Sequence, residues 1–357
     1  MGSYFGDKVK ISVFGESHGT AIGVVIDGLP SGEKIDMDEV YRQMARRAPG
    51  NDKTATPRKE ADNPEILSGV LNGVTTGAPL AAVIYNTNTR SGDYGNIMNA
   101  PRPGHSDYTA YLRYDGFNDV RGGGHFSGRL TANLVFAGAV IRQILKRKGI
   151  EIAAHIYSIG NTYDDPFEPT GISQELIDRL NGEKFALVNP EKENELRAEV
   201  DAVRAKGDSI GGIVECIVQG MPSGVGEPMF GGVENVISSV VFGVPAVKGI
   251  EFGSGFEGSR STGSKNNDEF YYDENGNVRT RTNNHGGALG GITSGMPILF
   301  RAAVKPTASI SMKQNTIDLQ SKENTTLSVK GRHDPCIVTR AVSVIEAAAA
   351  IAVINML

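Results

Sequence analysis

The chain has no tryptophan, an absence that excludes nothing. Its other scarcities are more informative. Only two cysteines occur in 357 residues, Cys216 and Cys336, far apart and in no C-x-x-C pair. A disulfide framework is therefore excluded, and a reducing cytoplasm is the expected setting. Basic charge is not in excess. The formal net charge of −5 argues against a nucleic-acid partner, though not against local basic sites. The first residues, MGSYFGDKVKISV, hold no apolar core and no cleavage pattern, so no leader is expected. No charge-free run reaches the length of a membrane span, and no membrane partner is expected. The nearest candidate, after Arg340, is short and contains Glu346; it reads as a buried helix.

Glycine is abundant, at 45 residues. That is well above the usual share of about 7%. The glycines sit in dense short motifs, which mark tight turns and places where backbone approaches a ligand closely. The length allows one large domain or two ordinary ones. No repeat or linker divides the chain, so residues 1–357 are read as a single domain.

KISVF and GVVID read as strands flanking the turn GESHG. Residues 37–48 read as a helix, with Asp36 as N-cap and Glu39 three residues on. Residues 131–148 read as a long helix closed by Gly149. EIAAHIYSI, GIVECIVQG and PILFRAAV read as strands. Residues 190–206 read as a helix capped by Asn189, with Pro190 first and Gly207 after it. FYYDENGNVRT carries Asn-Gly between short runs, a hairpin or flap. Strands and helices do not alternate steadily, so the class is α+β, a helix-and-sheet sandwich and not a doubly wound sheet.

GESHG matches G-x-S-x-G, the nucleophile elbow of serine hydrolases. An elbow needs strand, sharp turn and helix. Here GTAIGVVIDGLP reads as a returning strand, so the match is read as accidental. Ser17 and His18 are left on a turn between two strands.

The other dense segments carry cations and histidines. Arg42, Arg46, Arg47, Lys53, Arg58 and Lys59 stand against the single acid Asp52 in residues 42–59. Guanidinium groups bind carboxylates and phosphates as a bidentate fork, although helix-end arginines are favourable in any case. APRPGHSDY places Arg102 and His105 about a stiff turn. RGGGHFSGR has Gly122 to Gly124, then His125, Ser127 and Arg129 at the start of a helix, an anion cradle in type. NNHGGALGGITSG carries Asn284 and His285. KPTASI offers Lys305, Thr307 and Ser309, and GRHDPC offers Arg332, His333 and Asp334. Five of the six histidines lie in such loops; only His155 lies in a strand, where a packed core role is expected. No His or carboxylate spacing points to a metal. Together these loops describe a cationic pocket for a polyanion, with histidine available for proton transfer.

Taken in order, GESHGTAIGVVIDGLP, RRAPG, TPRKEADNPEILSGV, TTGAPL, RPGHSDYT, RGGGHFSGR, GEPMF, NNHGGALGGITSG, KPTASI and GRHDPC resemble the chorismate synthase family, from about residue 8 to the end. The resemblance implies a β-α-β sandwich with helices packed between sheets. It implies 1,4-elimination of phosphate from 5-enolpyruvylshikimate 3-phosphate, with reduced FMN and no net redox change. It also implies a homotetramer. Catalytic roles fall to His18 beside the flavin, His105 at the departing phosphate and Asp334 at removal of the C6 proton. Arg47, Lys53, Arg102, Arg129 and Arg332 fall on substrate-holding positions. His125, Ser127, Asn284, Lys305 and Ser309 fall on cofactor positions. Many members read GGGRSSARET where this chain has GGGHFSGRLT, so His125, Phe126 and Leu130 depart from the pattern, as does Lys53, an arginine elsewhere. FMN is expected to be reduced either by the chain with NADPH or by an external reductase; no dinucleotide motif is visible, which favours the latter. The alternatives are a flavin-dependent oxidoreductase and a non-catalytic phosphate-binding module.

Overall fold

The structure, a computed structural model, describes residues 2–50, 62–87, 99–329 and 334–357. Two five-stranded sheets enclose a layer of helices. The first sheet has the spatial order Tyr4–Phe5, Lys10–Gly15, Ala21–Asp27, Leu80–Tyr85 and Glu65–Ser68. The second has the order Val247–Phe252, Ile298–Val304, Gly212–Gln219, Glu151–Ile159 and Thr162–Tyr163. All pairings within both are antiparallel.

The pleat explains the layering. On Ala21–Asp27, Ile22, Val24 and Ile26 alternate inward and are all but fully buried. They meet helix α3, Thr131–Arg147, which is buried along most of its length. The C-terminal helix, Val338–Met356, packs between α3 and the Glu151–Ile159 and Gly212–Gln219 strands. The two helices approach closely: a Cβ on Gly138 would lie 2.3 Å from the Ala347 Cβ. This is the α+β sandwich expected from the sequence.

The C-terminal helix is long and apolar enough to cross a membrane, yet nearly all of it is buried within the protein. Its one acid explains why. Glu346, with no exposed surface, accepts from Arg46 Nη1 at 2.5 Å, Arg46 Nη2 at 3.0 Å and Arg142 Nη1 at 2.9 Å. The Ala154 amide adds a bond at 3.1 Å. An unpaired buried carboxylate would cost several kcal/mol (~3–5 for a broken buried pair), so the helix is committed to this neighbourhood.

Helix α1, Met37–Arg47, begins at Asp36, whose side chain accepts from the Asp38 and Glu39 amides. Glu39 does not complete a capping box; it accepts from Gln43 and pairs with Arg42. The expected helix over 190–206 divides into a 3-10 turn, Pro190–Lys192, and a helix, Glu193–Ala205. Phe270–Tyr272 and Val278–Thr280 form the expected hairpin.

Candidate active site

Strand Lys10–Gly15 ends in the GESHG turn and returns as strand Ala21–Asp27, with Gly15 paired to Ile22. A strand stands where the elbow requires a helix, so the hydrolase geometry is excluded at Ser17. Only glycine suits position 15: its φ is +95°, and a Cβ would lie 2.4 Å from the Ala21 carbonyl oxygen. The turn is held from several sides. The Ser17 amide donates to the Gly124 carbonyl at 3.1 Å. The Ser17 hydroxyl donates to the Arg121 carbonyl at 3.1 Å and lies 3.0 Å from His18 Nδ1. That hydroxyl proton is used, so a neutral His18 ring carries its own proton on Nδ1.

The glycine run brings the two histidine loops together. A Cβ on Gly122 would lie 2.3 Å from His18 Cε1, and one on Gly123 would lie 3.1 Å from His105 Cε1 and 3.2 Å from its Nε2. Consecutive Cα atoms are about 3.8 Å apart, so both rings belong to one site. Three successive positive φ values, 59°, 86° and 52°, make this wall possible only for glycine.

His105 stands just before helix α2, Asp107–Arg113. Its Nδ1 lies 2.6 Å from Asp107 Oδ1. The Arg102 Nη2 lies 3.1 Å from the same nitrogen, but the nearer carboxylate decides the tautomer: Nδ1 donates to Asp107. Nε2 is thereby left toward the glycine wall. Arg102 grips Asp107 through Nε and Nη2, both at 2.7 Å, and donates from Nη1 to Ser309 Oγ at 2.9 Å. Burial alone would raise the Asp107 carboxyl; hydrogen bonds from Arg102 and His105 hold it far below the usual carboxylate range.

A second circuit joins the arginines. Arg47, at the end of α1, is buried and donates to Asp62 at 2.6 Å, to the Gly128 carbonyl at 2.9 Å and to Thr131 at 3.2 Å. Burial pushes its guanidinium down to about 10 despite Asp62. Arg129 takes the other oxygen of Asp62 and donates from Nε to Asn86 Oδ1 at 3.1 Å. Asp62 would be raised by burial, but the two arginines hold it low. Asn86 Nδ2 then donates to the Glu16 carbonyl at 3.0 Å and the Gly19 carbonyl at 2.8 Å, closing the circuit on the His18 turn.

Asp334 accepts from Arg340 Nη1 at 2.7 Å, and Arg340 Nε donates to the Arg47 carbonyl at 2.9 Å. Thr307 donates to the Asp334 carbonyl at 2.9 Å, and Lys305 Nζ to the Gly104 carbonyl at 2.5 Å. Thus His18, His105, Asp334, Arg47, Arg102, Arg129, Lys305 and Ser309 form one connected cluster. Lys53 and Arg332 lie outside the described residues. Arg46, counted in the basic stretch, faces the core at Glu346, and Arg42 is an exposed partner of Glu39.

Three residues that the resemblance places at the cofactor have protein partners of their own. Ser127 Oγ accepts from the Arg129 amide at 3.3 Å. His125 has both ring nitrogens engaged, with Gly15 and Ser3. Asn284 sits in the flap region, donating to the Asn266 carbonyl at 3.1 Å. Beside it His285 pairs with Asp268, while its Nε2 meets Ser294 Oγ at 2.8 Å. That is the bonding order of a hydrolase triad, but the Ser294 hydroxyl also reaches the Gly287 carbonyl at 3.2 Å, and the cluster ties the loop together. Asp62, Asn86, Asp107 and Arg340 were not singled out from sequence. Asp107 was within reach, since it lies two residues after His105.

The arrangement gathers arginines, a lysine and two histidines about one glycine wall, the kind of cationic, histidine-bearing site that a lyase acting on phosphate esters requires. Comparisons with known proteins agree. The family described as Chorismate synthase matches residues 9–357. A chorismate synthase of Korarchaeum cryptofilum is 45% identical, over 97% of this chain and 94% of its own. One from Methanothermobacter thermautotrophicus is 43% identical, over 98% and 92%. A crystal structure of chorismate synthase superposes with a TM-score of 0.77 at 27% identity, covering 99% of this chain and 92% of that one. The chain belongs to the chorismate synthase family, the carbon–oxygen lyases of the shikimate pathway.

Proposed function

We propose that the His18–His105 site eliminates phosphate from 5-enolpyruvylshikimate 3-phosphate to give chorismate, with reduced FMN as cofactor. The observation that carries this is the pair of adjacent glycines against which the two histidine rings pack. A side-chain-free wall suits a flat ring system. Its anionic tail suits Lys305, whose ammonium is pushed down by burial and by the nearby Lys248 and would gain from an anion beside it. Ser309 adds a hydroxyl. When bound, reduced FMN supplies an electron that is lent and recovered, which is why the cofactor would be needed without net oxidation.

The side chains perform the rest. As an imidazolium, with Nδ1 donating to Asp107, His105 delivers its Nε2 proton to the departing phosphate, and the ring is left neutral in the orientation Asp107 fixes. Arg102, Arg47 and Arg129, with Lys53 and Arg332, neutralise the phosphate and carboxylates. His18, as an imidazolium with Nδ1 donating to Ser17, is the proton donor on the cofactor side. The Asp334 carboxylate, oriented by Arg340, assists loss of the C6 proton. Ser127 and Asn284 complete the cofactor walls. Residues 1–357 act as one catalytic domain, in the cytoplasm, as a homotetramer supplied by an external flavin reductase and not by its own NADPH chemistry.

The test is anaerobic turnover with chemically reduced FMN, following chorismate and phosphate together. Equal amounts of both, with catalytic amounts of reductant, are expected. No chorismate would overturn the proposal, and reductant consumed in step with product would show an oxidoreductase instead.

A further inference from the structure

We infer that His125 is a positioning residue that sets the His18 turn against the glycine wall. This rests on the proposed roles of His18 and His105. Gly122, Gly123 and Gly124 have no side chains with which to lock themselves, and glycine backbone is the least restrained of all. His125 is the first side chain after them. Its Nδ1 lies 2.7 Å from the Gly15 carbonyl oxygen, and its Nε2 lies 2.7 Å from Ser3 Oγ.

The chemistry of these partners fixes the ring. A carbonyl only accepts, so Nδ1 carries the proton and donates to Gly15. In the neutral ring Nε2 then accepts from the Ser3 hydroxyl. Ser3 is itself tied down, since its carbonyl accepts from the Val13 amide at 2.9 Å, and Tyr4 pairs with Ser12. One imidazole therefore joins the residue before the first strand, the end of the second strand and the end of the glycine run. Gly15 lies three residues before His18, and Gly122 and Gly123 touch the two histidine rings. A shift at His125 changes the spacing of the two rings directly.

The two nitrogens can be separated by isosteres. The Asn amide nitrogen can occupy the place of Nδ1, and the Gln amide that of Nε2. His125→Asn is expected to keep kcat within ~3-fold of the parent, because the Gly15 bond survives. His125→Gln and His125→Ala are expected to lose ~30-fold in kcat with KM changed less than ~2-fold, because a misplaced proton donor weakens the chemical step more than binding. The pH–rate profile of the Gln variant is also expected to shift, whereas a purely structural role would leave it in place. Equal losses in Asn and Gln, following the loss of thermal stability, would overturn the inference. So would parental kinetics in all three. His18→Ala and His105→Ala are measured alongside: if they retain activity, the proposed roles fail; if they lose it while the His125 variants do not, only the positioning inference fails.

Discussion

His105 and His155 both lean on carboxylates, and the number of carboxylates separates them. His105 has one, Asp107, on Nδ1, and keeps Nε2 toward the glycine wall. His155, in the second sheet, has two. Its Nδ1 lies 2.9 Å from Asp164 and its Nε2 lies 3.0 Å from Glu215, with no exposed surface. The acids are anchored in turn: Glu215 accepts from the Phe167 amide at 2.6 Å and from Arg301 at 2.8 Å, and Asp164 from the Val188 amide at 2.6 Å. Both nitrogens of His155 must donate, so its ring is a fixed imidazolium. One carboxylate orients a ring and leaves it a proton to move; two immobilise the proton and turn the ring into a structural cation.

The largest expected effect tests the mobile side. His105→Ala should lower kcat by ~10³-fold with KM little changed, the range of a lost general acid. Stopped-flow phosphate release under anaerobic conditions measures it, and a rate near the parent's would remove His105 from the chemistry. The fixed side should answer differently. His155→Gln should destabilise the fold by about 3 kcal/mol, the cost of breaking a buried ion pair. Activity per folded molecule should stay at the parent's level; urea unfolding with parallel assays separates the two. Asp107→Asn sits between them. It keeps the shape but not the charge that orients His105, and should cost ~30-fold in kcat through the wrong tautomer, less than the loss of the ring itself.

The smallest effect is in the pH dependence of stability. Burial alone would lower the His155 pKa, but its hydrogen bonds to Asp164 and Glu215 raise it above the ordinary 6.5. Its contribution is therefore complete below that unfolded value and is lost as pH climbs through the raised folded value. The parent's melting temperature should fall across that alkaline window by more than that of His155→Gln. Parallel curves would show that His155 is not held as a cation.

Much of the architecture was legible because it is local. Alternating Ile22, Val24 and Ile26 announce a strand, Asp36 announces a helix start, and the return strand after Gly19 disqualifies an elbow. The site's histidines and arginines were legible because they stand in glycine-dense loops. Their counter-charges were not. Asp62 lies 67 residues from Arg129, and Glu346 lies 300 from Arg46. Pairing at such separations leaves no periodicity to read. For the same reason Arg46 and Arg47, adjacent and chemically identical, could not be told apart: one faces the core helix and the other faces Asp62.

That 300-residue span has a bearing on biogenesis. Until residues 338–356 emerge from the ribosome, Arg46 and Arg142 have no Glu346, and Val9 lacks the Asn355 side chain that bonds its amide and carbonyl. The nascent chain can form its hairpins but cannot close its interior. Folding must therefore be completed after residues 338–356 have emerged, through contacts distant in sequence, which is the slow regime for a globular chain.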